Sequence, residues 1–194
     1  MKKCNIFVCE NFAPEFLISA KKTGSDDIAI RPYPSMCMIK SNKAVVERIL
    51  RESAADGDVG IILCGKNCDI QNINSAGSPF EIHASPYCGS YLADEETIES
   101  FIEEGAYMLS TGWLGHWREK IAGAGFDRDT ARRFYREFCK KLVFFDTGID
   151  DESMKNINEL SEYLGLPYVV VPVDMGVYDD FLKKIYMDWK LKVK

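Results

Sequence analysis
The chain has 194 residues, 46% of them apolar and 28% charged, with a net charge of −6. That composition suits a single domain with one sizeable core and excludes a disordered chain. With an acidic balance and no long basic stripe, nucleic acid is not an expected partner.

The chain opens with MKKCNIFVCENF, whose apolar stretch is too short for a signal peptide. No run approaches the ~18 apolar residues of a membrane-spanning helix. These features give the expectation of a cytoplasmic protein with no membrane partner. The seven cysteines are an odd number. In a reducing compartment thiols stay free, so metal binding or thiol chemistry is a better reading than a disulfide framework.

Apolar runs of strand length alternate with helical patterns. Strands are expected at 5–9, 28–30, 60–64, 80–84, 106–109, 142–145 and 168–171. Most are continuously apolar, as in parallel strands covered on both faces. Ser41 is the expected cap of a helix through Ala44, Val45, Ile49 and Leu50 that stops near Asp56-Gly57. Asp94 caps the next, with Glu95 and Glu96 in its first turn and Ile98, Phe101 and Ile102 on its apolar face. One helix is expected from Trp113 to Ile121. Asp127 or Asp129 caps another, with Phe134, Phe138 and Leu142 inward. A further helix runs from Asp151 to Leu164 and stops at Gly165, with Pro167 behind it. The last covers about residues 178–192.

This alternation implies a single α/β domain over residues 1–194. Its expected architecture is a doubly wound, mostly parallel, Rossmann-like sheet of about six to seven strands with helices on both faces. Such sheets bind ligands beyond the carboxyl ends of their strands, where the winding direction changes. Cys9 and Cys64 end two of the expected strands, and Cys88 follows a third. If those strands are neighbours, the three thiols converge. Thiolates suit zinc, copper(I) and iron–sulfur clusters, and three of them leave a fourth position open. Against this, free cysteine is often inert core filler. Cys68 shares a face with Cys64 if the intervening turn is helical, Cys37 is a weaker candidate, and Cys4 and Cys139 read as core or surface residues.

Three other sites stand out. Thr111, Gly112 and Trp113 follow a strand, where backbone amides can meet an anion or a carbonyl oxygen. The competing reading makes the tryptophans core and His116 a surface or packing residue. His83, inside FEIHAS, reads as a buried strand residue. Asp146, in the Asp146-Thr147-Gly148 segment, can orient a ligand or simply close a loop. No phosphate-binding GxxxxGK[ST] or dinucleotide GxGxxG pattern occurs.

The order CEN, IILCGKN, SPYCGSYLADEET, GAYMLSTGW, KLVFFDTG and DFLKKIYMDW resembles a prokaryotic family of unknown function. That family is often associated with methanogens and with corrinoid-dependent methyltransferases. The resemblance implies a shared thiol site at Cys9, Cys64 and Cys88 for a metal ion (Zn) or an iron–sulfur cluster. It implies a cofactor pocket lined by Thr111, Gly112, Trp113 and Asp146. It also implies a small-molecule or corrinoid-protein partner in one-carbon methyl metabolism. Pro86 and Tyr87 stand before Cys88 where the family has His-Asp, so a histidine available for ligation or proton transfer is missing. The alternative function is a non-catalytic ligand-binding or sensory module with inert thiols. The chain also ends before the strand expected after MDWK, as in a domain excised from a longer protein.

Overall fold
Seven strands and eight helices make up the regular structure of the computed structural model, which describes residues 3–24, 26–37, 42–73 and 78–192. All strand pairs are parallel, as the continuous apolar runs require. The seven strands divide into a four-stranded and a three-stranded sheet. The chain correspondingly forms two compact units, Met1–Tyr91 with Met175–Lys194, and Leu92–Asp174.

In the first unit the sheet order is β2-β1-β3-β4. The strands are β1 (Cys4–Cys9), β2 (Ile28–Tyr33), β3 (Val59–Gly65) and β4 (Phe80–Ser85). Ile6, Phe7 and Val8 of β1 and Ile62 of β3 are wholly buried. β2 is an edge strand, and it carries Pro32, whose missing N–H is tolerated there. Gly60 is required by packing, because a Cβ at that position would lie 1.8 Å from the Asn5 carbonyl oxygen on β1.

Three helices belong to this unit: α1 (Ala13–Thr23), α2 (Lys43–Ala55) and α8 (Gly176–Lys192). The periodicity reading gave no helix at α1. Its punctuation is nonetheless standard: Pro14 near the start, Glu15 in the first turn, Lys21 and Lys22 in the last, and Gly24 in a left-handed cap. α8 packs on it through Phe16, which meets Tyr178 edge-on at 5.2 Å. Ser41 lies outside the described residues. α2 follows Asn42, whose side chain makes no cap bond but donates to the Ser35 carbonyl at 2.9 Å.

In the second unit the order is β5-β6-β7. The strands are β5 (Ala106–Leu109), β6 (Lys141–Asp146) and β7 (Tyr168–Pro172). The central strand β6 buries Leu142, Val143, Phe144 and Phe145 completely. Around it lie α3 (Glu95–Glu103), α4 (Thr111–Gly115), α5 (Trp117–Gly123), α6 (Arg128–Phe138) and α7 (Glu152–Leu164). Asp94 and Asp127 cap α3 and α6 by accepting the N–H of Thr97 and of Thr130, each at 2.8 Å. The helix expected over 113–121 is broken at His116 into α4 and α5.

Two helix phases differ from expectation. α6 turns Ala131 and Tyr135 inward and leaves Phe134 and Phe138 38% and 50% exposed. The two phenylalanines cover one another at the surface, 5.1 Å apart. α3 buries Ile98 and exposes Ile102.

One face of α6 carries Arg128, Arg132 and Arg136, one helical turn apart. Arg132 donates to the carbonyls of Tyr163 and Glu162 at 2.8 and 2.9 Å, and Arg136 to that of Gly165 at 2.9 Å. These carbonyls close the C-terminus of α7, where cations satisfy orphan acceptors and complement the helix dipole.

Candidate functional site
The four-stranded sheet winds outward from β1 to β2, then reverses to place β3 on the other side of β1. The reversal falls between the carboxyl ends of β1 and β3, where open α/β sheets bind ligands. Cys9 ends β1 and Cys64 is the penultimate residue of β3. Cys88 follows β4, the neighbour of β3, and opens a 3-10 turn over Cys88–Tyr91. The three strands are therefore consecutive in the sheet, as the convergence of these thiols requires.

The loops fix these residues closely. The Cys68 N–H donates to the Gly65 carbonyl at 2.9 Å, closing a turn at the end of β3. Gln71 clamps that turn by donating to the Gly65 and Lys66 carbonyls at 3.0 and 2.6 Å. Cys68 is extended, with φ −80° and ψ 130°, so the helical turn that would have put it on one face with Cys64 does not form. The Cys88 sulfur packs directly on Gly65: a Cβ added there would lie 2.6 Å from Cys88 Sγ. The Gly65 N–H donates to that sulfur, the Asn11 N–H to the sulfur of Cys9, and the Ile70 N–H to that of Cys68.

Two tyrosines enter the same rim. Tyr33 pairs with Cys9 across the β1–β2 ladder, and its buried hydroxyl donates to the Leu63 carbonyl at 2.8 Å. Tyr91 is 4% exposed. Its hydroxyl completes no hydrogen bond of ordinary geometry, although Ser85 lies beside it. Cys64, Cys88 and Cys9 all lie within electrostatic reach of that hydroxyl.

Burial controls the ionisation of the thiols. Lost solvation pushes Cys64 up to about 12, and neighbouring Cys68 and Cys88 add to the rise. Cys9, Cys68 and Cys88 are raised chiefly by the same desolvation, despite the amide donors. Cys88 reaches solvent as a residue, but its sulfur is packed against the β3 turn, and that packing raises it. At neutral pH all four are thiols, which are poor nucleophiles. Among the described residues, no three Cys, His, Asp or Glu side chains already stand around one point as metal ligands. The donor chemistry fits a soft metal, whereas the side-chain arrangement is not a preformed cage.

The other candidates lie in the second unit. Thr111 and Gly112 follow β5, and Asp146 ends β6, the strand paired with it. The Thr111 and Thr147 hydroxyls approach to 3.4 Å between these strand ends. Asp146 accepts the Gly148 N–H at 2.9 Å and so closes its own loop. Ser110 caps α4 by accepting the Trp113 N–H at 3.4 Å, which occupies one of the amides expected to meet a ligand. Trp113 is core, edge-on to Tyr107 at 5.6 Å. His83, expected to be buried, is exposed on the edge strand β4, edge-on to Phe181 at 5.5 Å. His116 is exposed beside Glu119. A separate cavity of about 390 Å³ opens between α5, α6 and α7, lined by Trp117, Phe126, Tyr163, Arg118 and Glu159 among others.

β2 runs on to Tyr33, past its expected end at Ile30, so that its carboxyl end falls nearer to Cys37 along the chain. The signal for Cys37 was the one that picked out Cys9, a cysteine soon after a strand. Tyr33 and Tyr91 had no sequence signal, since aromatic residues near strand ends are ordinarily core. A family model described as "Protein of unknown function (DUF1638)" matches residues 42–182. No curated protein and no solved structure matches.

Proposed function
The chain belongs to the family described as Protein of unknown function (DUF1638), and from that starting point, which assigns no chemistry, we propose that its four-stranded sheet binds a thiophilic metal ion or an iron–sulfur cluster. Cys9, Cys64 and Cys88 supply the ligands. The observation that carries this reading is the delivery of Cys9, Cys64 and Cys88 to the carboxyl ends of three consecutive parallel strands, with the Cys88 sulfur packed on Gly65; the backbone amides of Gly65 and Asn11 beside Cys88 and Cys9 add to it. Amide donors of this kind stabilise thiolates and set the potential of clusters bound to them. The buried Tyr91 hydroxyl, within reach of all three thiols, offers a further donor.

A centre with three sulfur ligands and one open position binds and polarises a substrate thiol or a methyl carrier. The resemblance to corrinoid-associated proteins makes one-carbon methyl chemistry the first substrate class to try, with a corrinoid protein as partner. Toward a small organic ligand, Thr111, Gly112, Trp113 and Asp146 offer a separate edge at the ends of β5 and β6.

The test is elemental analysis and visible absorption of anaerobically purified protein. Near-stoichiometric zinc, or iron with sulfide, lost in folded Cys64→Ala and Cys88→Ser variants supports the reading. A second reading, a ligand-binding or sensory module with inert thiols, is favoured by the neutral state of the thiols and the lack of a ready cage. Metal-free wild-type protein that stays folded and takes up no metal on anaerobic reconstitution would establish it.

A further inference from the structure
All four strands of the first sheet deliver a cysteine beyond or at their carboxyl ends. Cys9 ends β1, Cys37 follows β2, Cys64 and Cys68 bracket the turn after β3, and Cys88 follows β4. Five of the seven cysteines therefore share one rim of one sheet. Cys4, at the opposite end of β1, and Cys139, which follows α6 of the other unit, do not.

Cys88 is the hub of the five. It packs on Gly65, the residue after Cys64, and it lies within electrostatic reach of Cys9, Cys37, Cys64 and Cys68. Cys37 is also within reach of Cys9 and Cys68, and Cys68 within reach of Cys64. Three overlapping triads result, Cys64–Cys68–Cys88 on the β3 side, Cys9–Cys37–Cys88 on the β1 side and Cys37–Cys68–Cys88 between them, with Cys88 in all three. Cys64 is buried and Cys9 and Cys68 are half-buried, whereas Cys37 and Cys88 reach solvent.

Three soft donors suffice for one metal ion, and a sulfur that belongs to two triads can bridge two ions, as thiolates readily do for soft metals. We propose that Cys37 and Cys68 complete the donor set, so that the rim takes a polynuclear soft-metal thiolate cluster in which Cys88 is the shared ligand. This rests on the reading that the rim binds metal, and it specifies the ligand as a multi-metal cluster rather than a single ion. Binding is balanced by release of one proton for each thiol that becomes a thiolate ligand. Redox chemistry is not needed.

The experiment is an anaerobic titration of the full chain with Cd(II), followed by the ultraviolet thiolate-to-cadmium charge-transfer absorption and by mass spectrometry under native conditions. Wild type is expected to saturate above one Cd(II) per chain. Cys37→Ser and Cys68→Ser should each reduce both the absorption and the stoichiometry, Cys88→Ser should reduce them most, and Cys139→Ser should change neither. Circular dichroism confirms that each variant is folded. Saturation at one Cd(II), with Cys37→Ser and Cys68→Ser indistinguishable from wild type, overturns the cluster and leaves the three-cysteine site standing. No charge-transfer absorption in folded wild type overturns both.

Discussion

The same substitution at two glycines of one strand should have opposite consequences. At Gly60 an added Cβ would lie 1.8 Å from the Asn5 oxygen and 2.7 Å from its carbonyl carbon, both backbone atoms of the neighbouring strand. Ordinary contact needs about 3.5 Å, so β1 and β3 would have to part by more than an ångström. That breaks the ladder between the two central strands and leaves buried amide and carbonyl groups unpaired at about 1–3 kcal/mol each. Two such losses with the packing defect approach the roughly 5–15 kcal/mol that holds a domain together. Gly60→Ala should therefore yield little folded protein. At Gly65 the new Cβ meets mainly Cys88 Sγ, at 2.6 Å, with the Cys88 nitrogen at 3.0 Å. A thiol can rotate away, so Gly65→Ala should fold and lose about 1–3 kcal/mol, the usual cost of overpacking. It should also expose Cys88. Denaturant melts measure the stabilities, and the rate of modification by an aromatic disulfide reagent measures the thiol. If Gly60→Ala is as stable as wild type, or if Gly65→Ala leaves the reactivity of Cys88 unchanged, the close packing of β1, β3 and the Cys88 turn is refuted.

Removing the α6 guanidinium in Arg132→Ala deletes two charge-assisted bonds to the end of α7, at 2.8 and 2.9 Å, and should destabilise by about 1–2 kcal/mol in denaturant melts. Arg132→Lys should recover only part of this, since an ammonium cannot span both carbonyls as a planar fork does. Asp94 and Asp127 are held below the usual carboxylate range, chiefly by hydrogen bonds from Thr97 and Thr130. A depressed folded pKa means that their contribution is present above the unfolded carboxylate value and lost as pH falls through the folded one. Stability should drop on acidification, and less steeply in an Asp94→Asn, Asp127→Asn double variant. Cys139 has the opposite sign, because burial raises it from 9.0 to about 11. Its neutral form is favoured by folding, so its contribution is complete below 9.0 and fades as pH rises toward 11. The stability gap between wild type and Cys139→Ala, measured by melts across that alkaline range, should narrow accordingly.

The inner strands β1, β3 and β6 were legible in the sequence because a parallel strand buried on both faces must be apolar throughout, and runs such as Ile6-Phe7-Val8 and Leu142 to Phe145 have no other simple reading. Caps at Asp94 and Asp127 were legible for a local reason: a side chain that accepts the N–H three residues on is encoded by neighbours alone. The phases of α3 and α6 were not, since Ile102, Phe134 and Phe138 are apolar yet face solvent, and only tertiary packing decides which part of an apolar stripe is covered. The division of seven strands into two sheets was equally illegible, because no sequence feature states which strands pair. Of the candidate site, the placement of Cys9, Cys64 and Cys88 followed from the strand-end rule. The extension of β2 through Pro32, the close approach of Cys88 to Gly65 and the buried Tyr91 hydroxyl required the folded chain.

The competing readings of the thiol rim separate on an energy scale. A nucleophilic or redox-sensing cysteine needs a depressed pKa, supplied by a nearby cation, a helix start or a metal. Around Cys64 the named influences are burial and two other thiols, and all of them raise its pKa. An unassisted thiolate there is disfavoured by about 4 kcal/mol relative to an ordinary cysteine, from the rise of 9.0 to about 12. Structural zinc sites in small thiolate domains deliver about 10–16 kcal/mol at neutral pH, more than the cost at Cys64 alone, and the other raised thiols would draw on the same energy. The rim is thus poorly suited to act as a bare nucleophile. The amides that already point at Cys9, Cys68 and Cys88 would then strengthen from weak thiol contacts to charge-assisted bonds on metal loading.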